Sequence, residues 1–195
     1  PNYPVGPYAD EAAMRWRYVA ETTDPQRLGQ LREKYGADGR RGLDAVFGRI
    51  DAHNLVCIGL GDGRFECRDV HPDLGRSFGV ALGDVNEDGL LDAVFARDLQ
   101  ENRVCLGDGL GGLTCSDVSA STDRSRDVAL ADMNGDGHLD AVFANYGQPA
   151  ELCLGDGDGA FTCSPTPRSD NSTGVALGDV DGNGHPDIVL ANYGQ

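Results

Sequence analysis

Beyond residue 36 the chain is a succession of short apolar runs separated by clusters of Gly and Asp. Between Arg76 and Asp123 the runs are Phe78–Gly83, Leu90–Ala96, Arg103–Leu106 and Leu113–Val118. None is long enough for a helix, and each is bounded by turn-forming residues, so the pattern predicts a four-stranded antiparallel meander. In the first two runs apolar residues occupy successive positions, as in Val80-Ala81-Leu82 and Ala93-Val94-Phe95-Ala96. A strand with one wet face alternates, whereas a strand lacking alternation is buried on both faces. The inner strands are therefore expected between neighbouring sheets. The N-terminal stretch reads differently. Ala9–Glu21 combines good helix formers with acids at its start, and Asp24-Pro25 is a cap followed by proline at the first helical position. Helices are predicted over Ala9–Glu21 and Pro25–Tyr35, ending at Gly36.

The apolar pattern repeats. LDAVF at Leu43–Phe47 returns at Leu91–Phe95 and Leu139–Phe143, and again as PDIVL at Pro186–Leu190, at intervals of 48, 48 and 47 residues. Cys57, Cys105 and Cys153 keep the same step, as do Cys67, Cys115 and Cys163. A repeat of this length matches one blade of a propeller, and a β-sandwich has no need of it. The predicted fold is mainly β, a β-propeller-like array of four-stranded antiparallel blades with a short α-helical N-terminal segment. Its parts are a helical segment 1–36, a partial blade 37–75, blades 76–123 and 124–171, and a half blade 172–195. Closed propellers generally have about four to eight blades. The unit count therefore implies a piece of a longer propeller or an arc completed by another chain.

Between the first two strands of each later unit stands one nine-residue pattern. Its oxygen side chains are Asp84, Asn86, Asp88 and Asp92, then Asp132, Asn134, Asp136 and Asp140, then Asp179, Asp181, Asn183 and Asp187. Glycine holds the sixth position each time. Donors at alternating positions converge when the chain curls, and glycine permits the curl. Hard oxygen donors at this density suit Ca²⁺, which takes about six to eight of them. The backbone carbonyl of Leu90, His138 or His185 completes each set. An EF-hand would place an acid at the twelfth position, where Phe95, Phe143 and Leu190 stand instead. In the first unit Gly36 and Arg40 replace two donors, so three Ca²⁺ per chain are expected and none in that loop.

FGVALGDVNEDGLLDAVFA, VALADMNGDGHLDAVFANYG and GVALGDVDGNGHPDIVLANYG resemble the FG-GAP (VCBS-type) repeat over about residues 37–195. The turn LGDGDGAF at Leu154–Phe161 resembles the second turn of that repeat. The resemblance implies the β-propeller of integrin α subunits and of many secreted proteins. It implies Ca²⁺ in the Asp-rich loop on one propeller face and ligand recognition by loops on the opposite face. It implies no single activity.

Charge and cysteine usage narrow the function. Asp outnumbers Glu by 25 to 7, glycine is about 14% of the chain, and the net charge is −16. Residues 1–42 carry +1 and residues 43–195 carry −17, a contrast that marks a boundary. No basic footprint for nucleic acid exists, and no apolar run is long enough to insert in a membrane. Three bound Ca²⁺ would bring the charge to −10. The cysteines form three C-x9-C pairs, each flanking a turn between the third and fourth strands. Placing Cys105 opposite Cys115 puts the pair within disulfide reach. The expected bonds are Cys57–Cys67, Cys105–Cys115 and Cys153–Cys163, which require an oxidising compartment. Asn171-Ser172-Thr173 is a glycosylation sequon, so Asn171 is a candidate acceptor in an interblade loop.

These readings lead to a calcium-stabilised, secreted or cell-surface binding module without catalytic activity. No nucleophile–base arrangement surrounds His53, His71, His138 or His185. The loops Arg97–Asn102, Asn145–Glu151, Ser116–Asp127 and Ser164–Gly174 are expected opposite the calcium loops, where they would meet a protein or glycan ligand. The alternative is a scaffold subunit joined to other chains through its helices, with Met14, Trp16 and Tyr18, and through an open blade edge.

Overall fold

The computed structural model describes residues 19–21, 43–60, 64–70 and 75–194. They form thirteen strands and no helix. In chain order these are β1 (Val19–Glu21), β2 (Leu43–Phe47), β3 (Ile50–Ala52), β4 (Leu55–Gly59), β5 (Phe65–Asp69), β6 (Gly75–Gly83) and β7 (Asp92–Arg97). There follow β8 (Arg103–Gly107), β9 (Leu113–Asp117), β10 (Ser125–Ala131), β11 (Asp140–Gly155), β12 (Phe161–Gly178) and β13 (Asp187–Asn192).

The second unit is the meander that the apolar pattern predicts. β6, β7, β8 and β9 pair antiparallel in sequence order, with Val80 opposite Phe95, Val94 opposite Val104 and Cys105 opposite Cys115. The first sheet has the order β1-β2-β4-β5, with Cys57 opposite Cys67. In the third sheet, β10-β11-β12-β13, two strands run on without a break. The last residues of β11 face the first of β12, Cys153 opposite Cys163, while the second half of β12 pairs with β13.

The strands that lack alternation are buried on both faces. Val80, Ala93, Phe95 and Cys105 pack towards the first sheet, against Val46, Val56 and Ile58. Their chain neighbours Ala81, Val94, Ala96 and Val104 pack the other way, against Val128, Ala141, Phe143 and Cys153 of the third. The middle sheet is thus the filling between two others, as successive apolar positions require. Phe95 and Phe143 have no exposed surface. Complete burial of one such ring contributes roughly 1.5–3 kcal/mol. The described residues form an arc of stacked units and no closed ring.

A second connection links the units. Past the end of each second strand the chain turns and pairs with the start of the next unit's first strand. Ile50 pairs with Arg76, Asp98 bridges to Arg124, and Tyr146 pairs with Asn171. The amides of Ser77 and Leu99 donate to the carbonyls of Arg49 and Asp123 at 3.0 and 2.9 Å, while within each unit the amides of Asp98, Tyr146 and Tyr193 donate to the carbonyls of Arg76, Arg124 and Asn171 at 2.9 Å. The residue following the bridge is left-handed in every unit: Asp51, Leu99, Gly147 and Gly194 have φ between +54° and +75°.

This ladder corrects three expectations. Asn145–Glu151 is not a loop but part of β11, and Ser164–Gly174 is not a loop but part of β12, because the two stretches pair beyond the blade. Asn171 accordingly lies in a strand, with Thr173 Oγ1 donating to the Ala191 carbonyl at 3.2 Å. Val19–Glu21, expected as the end of a helix, is strand β1 and pairs with Leu43–Ala45. The rest of the two predicted helices and the first loop up to residue 42, with Arg40, lie outside the described residues.

Candidate metal centre

Each Asp-rich loop joins a first strand to a second, β6 to β7, β10 to β11 and β12 to β13. The three loops share one scaffold. The first Asp accepts backbone amides from across the loop: Asp84 from Asp88 and Gly89, Asp132 from Gly135, Asp136 and Gly137, Asp179 from Gly182, Asn183 and Gly184. The third residue accepts from the amide of the fifth, at 3.3 Å for Asn86, 2.9 Å for Asn134 and 3.0 Å for Asp181. The fifth accepts from the seventh, Asp88 from Leu90, Asp136 from His138 and Asn183 from His185. One oxygen after another is thereby turned to the inside of the curl. The glycine that permits it is left-handed in each copy, at Gly89, Gly137 and Gly184.

In the third loop one oxygen each from Asp179, Asp181 and Asp187 lies within 4.8 Å of the others. In the first two loops the side-chain amides of Asn86 and Asn134 donate to Asp88 and Asp136 at 3.0 and 2.8 Å. Those bonds place amide and carboxylate oxygens side by side. The donor set is all oxygen and the spacing is compact, so the residues fit a hard divalent cation. The carboxyl of Asp136 is held below its ordinary range, first by the His138 amide and then by the Asn134 side chain. That of Asp179 is held low by the Gly184 amide first. Both are therefore ionised carboxylates at neutral pH.

The ninth position has a role that its place in the motif did not disclose. Asp92 accepts the amides of Val85 at 2.9 Å and Gly107 at 2.7 Å, and Asp140 those of Met133 at 2.7 Å and Gly155 at 2.8 Å. These carboxylates tie the loop to the third strand of their own sheet. Both are completely buried, and burial pushes the Asp92 carboxyl up. Asp44 repeats the bond to Gly59 at 3.1 Å in the first unit, and Asp187 holds the Val180 amide at 2.9 Å in the fourth.

The sequence also gave no hint that neighbouring loops touch. His138 Nδ1 lies 2.5 Å from Glu87 Oε1, joining the second and third units. The His138 imidazole is pushed up, chiefly by that bond. His185 occupies the same place in the next loop.

Cys57–Cys67, Cys105–Cys115 and Cys153–Cys163 are disulfides, with Cα atoms 3.9–4.0 Å apart, and no free cysteine remains. Each closes the hairpin between a third and a fourth strand. They fit an oxidising compartment. No helix among the described residues is long and apolar enough to cross a membrane.

None of the curated proteins matches the chain. The family model described as FG-GAP-like repeat matches residues 84–143 and 132–190, each span running from one carboxylate loop into the strand after the next. These spans cover more than half of the chain and carry the motif, the period and the strand order described above, and the chain belongs to the FG-GAP-like repeat family.

Proposed function

We propose that the protein is a calcium-stabilised, non-enzymatic extracellular module that binds a protein or glycan ligand through the end of the arc opposite the carboxylate loops. The observation that carries this reading is the threefold recurrence of one oxygen-lined curl, with three carboxylates of the last copy within 4.8 Å. Asp84, Asn86, Asp88 and Asp92 would hold one cation. Asp132, Asn134, Asp136 and Asp140 would hold a second, and Asp179, Asp181, Asn183 and Asp187 a third. Each set is supplemented by the carbonyl of Leu90, His138 or His185. The cation would lock the turn between first and second strands and offset the repulsion among its ligands. The three disulfides support an extracellular setting. The test is a melt in EDTA, with and without restored Ca²⁺, alongside elemental analysis. A ligand that binds only the native state raises stability by mass action, so the melting temperature should fall in EDTA and recover. An unchanged melt with no metal in the protein would remove the calcium reading.

A second reading has its own observation. Val180, Val189 and Tyr193 are 73%, 52% and 68% exposed. The counterparts of the first two in the second unit, Val85 and Val94, are buried by the next sheet. The outer face of β12 and β13 is therefore shaped for a further unit, from the same polypeptide or another chain, and the protein would then serve as a scaffold in an assembly. Sedimentation of the wild type and a Val189→Lys variant would separate the readings. A concentration-dependent oligomer abolished by the lysine supports assembly.

A further inference from the structure

The chain contains two Asn-Gly pairs, and both stand in carboxylate loops: Asn134-Gly135 at the third and fourth positions, Asn183-Gly184 at the fifth and sixth. An asparagine followed by glycine can react with its own backbone. The glycine amide nitrogen attacks the side-chain carbonyl carbon and closes a succinimide ring. Glycine leaves that approach open, whereas a side chain obstructs it, as Glu87 does after Asn86.

The last loop holds its pair in an arrangement suited to this chemistry. The Gly184 amide donates to Asp179 Oδ2 at 2.9 Å, and Asn183 Oδ1 accepts the His185 amide at 2.8 Å. The first contact draws the proton away from the nucleophile. The second places a donor where negative charge develops as the carbonyl carbon becomes tetrahedral. Asn183 Nδ2, the group that must leave, donates to nothing among the described residues. Asn183 and Gly184 are exposed, and a Cβ on Gly184 would meet no atom within 4 Å, so water reaches the pair. The loop is also more loosely tied than its siblings. Asp187 holds the Val180 amide alone, where Asp92 and Asp140 each hold two amides.

The other two loops repeat the contacts without the reactive group. Gly89 donates to Asp84 at 2.8 Å and Gly137 to Asp132 at 2.9 Å, while the amides of Leu90 and His138 donate to Asp88 and Asp136 at 2.8 and 2.9 Å. There the fifth side chain is a carboxylate, whose charge repels a nucleophile. Asn134 fails for another reason. Its Nδ2 donates to Asp136 Oδ2 at 2.8 Å, which holds the group that would have to leave.

We propose that Asn183 is a self-modification site, which the loop converts to aspartate. Gly184 N bonds to Asn183 Cγ, the Cγ–Nδ2 bond breaks, and the nitrogen leaves as ammonia with the proton that Gly184 gave up. Water then adds to Cγ of the succinimide and the Cγ–N bond breaks, which restores the Gly184 amide and leaves a carboxylate. The His185 amide faces the Cγ oxygen in both steps. Opening at Cγ is thereby favoured over opening at the main-chain carbonyl, and the product is aspartate rather than isoaspartate. The last loop acquires the fifth-position carboxylate that its siblings carry as Asp88 and Asp136. The reaction does not depend on whether the loop takes a cation.

The test incubates the whole chain, freed of metal by EDTA and held folded below its melting temperature, beside the same chain in urea. Peptide mapping by mass spectrometry reads the exchange of amide for acid at each asparagine, and fragmentation distinguishes aspartate from isoaspartate. In the folded protein Asn183 is expected to convert about tenfold faster than Asn134, because only the latter must break a charge-assisted hydrogen bond to release its amide. The preference should vanish in urea, and only the folded protein should yield mainly aspartate. An Asp136→Asn variant grafts the reactive group onto the second loop and should convert at that position faster than at Asn134. Equal conversion of Asn134 and Asn183 in the folded protein would overturn the proposal. So would an Asn183 that stays intact when folded but reacts in urea, or isoaspartate as the main folded-state product. A folded Asp136→Asn variant that does not convert at that position would overturn it too, and the comparison within the wild type decides the matter if that variant does not fold.

Discussion

Asp127 stands where the units on either side have Gly79 and Gly174. It has no exposed surface and accepts the amides of Val128 at 2.9 Å and Val175 at 3.1 Å, the latter in the next unit. Its side chain fits because the preceding unit has no side chain there. A Cβ on Gly79 would lie 2.7 Å from Asp127 Cα and 2.9 Å from Oδ1. Gly79→Ala is therefore expected to cost about 1–3 kcal/mol, read from chemical denaturation, by overfilling the gap between units. Glu151 is a buried carboxylate of the opposite kind. Its counterpart in the second unit, Arg103, pairs with Asp117 at 3.1 Å, but Glu151 faces Pro165. Its Oε2 has no hydrogen-bond partner among the described residues, and burial, with Asp123 second, pushes its carboxyl up. A carboxyl that binds its proton more tightly in the folded state makes stability fall as pH rises from the unfolded pKa, roughly 4.3, through the raised folded value. Glu151→Gln should remove that fall, stabilising by about 1 kcal/mol at pH 7 and not at all in acid. Denaturation midpoints at several pH values check it. Neither residue was legible as a motif. Both are departures from the repeat, and a departure can be recognised only once the structure shows which positions of adjacent units meet.

At the scale of the element, the nine-residue loop combines two functions in one motif. The fifth position accepts two amides from within the loop, those of Leu90 and the Asn86 side chain, whereas the buried ninth carboxylate spans the Val85 amide of the loop and the Gly107 amide of the third strand. Asp88→Asn should therefore lower the melting temperature in Ca²⁺ and have little effect in EDTA. Asp92→Asn should lower it in both, by about 1–3 kcal/mol even without metal, because a buried acceptor pair is disturbed. Scanning calorimetry of the two variants with and without chelator separates a ligand from a clasp. The hairpin disulfides act in parallel. Removing Cys105–Cys115 as a double serine variant should cost roughly 2–3 kcal/mol for a loop of this size. The strands, the period and the cysteine pairing were readable from the chain because each is set by local spacing: short runs of successive apolar residues, turn residues and a fixed nine-residue gap. The ladder from one unit to the next was not. Tyr146 and Asn171 are paired through backbone groups alone, and backbone pairing leaves no signature in side-chain type. For the same reason β11 and β12 were read as strands separated by loops.

Across the whole molecule the ionic groups are divided by end. The carboxylate loops all lie where first strands pass to second strands, and the cluster of Arg76, Arg124 and Arg126 with Asp98 lies at the other end. Carboxyls at positions one, five and nine of two loops, and one, three and nine of the third, repel within each curl and across adjacent curls. Among the described residues the contact between Glu87 and His138 joins two adjacent loops, and it offsets this repulsion where the imidazole is protonated. Two agents can relieve the repulsion, and they do so differently. A monovalent salt screens over a Debye length of about 10 Å at 0.1 M, which is longer than the spacing of the third loop's carboxylate oxygens, all within 4.8 Å of one another. Screening therefore leaves most of the short-range repulsion within a curl and removes mainly that between curls. A cation bound inside the curl acts at ligand distance on every carboxylate at once. In EDTA the melting temperature should rise with added NaCl, but by less than with stoichiometric Ca²⁺. With Ca²⁺ bound, the same salt series should be shallower, since two of the three carboxylate charges in each curl are already neutralised. Melts over a NaCl series in both states measure this. A salt response of equal slope with and without Ca²⁺ would show that the loop carboxylates do not carry the charge effect, and would assign it to the rest of the acidic surface.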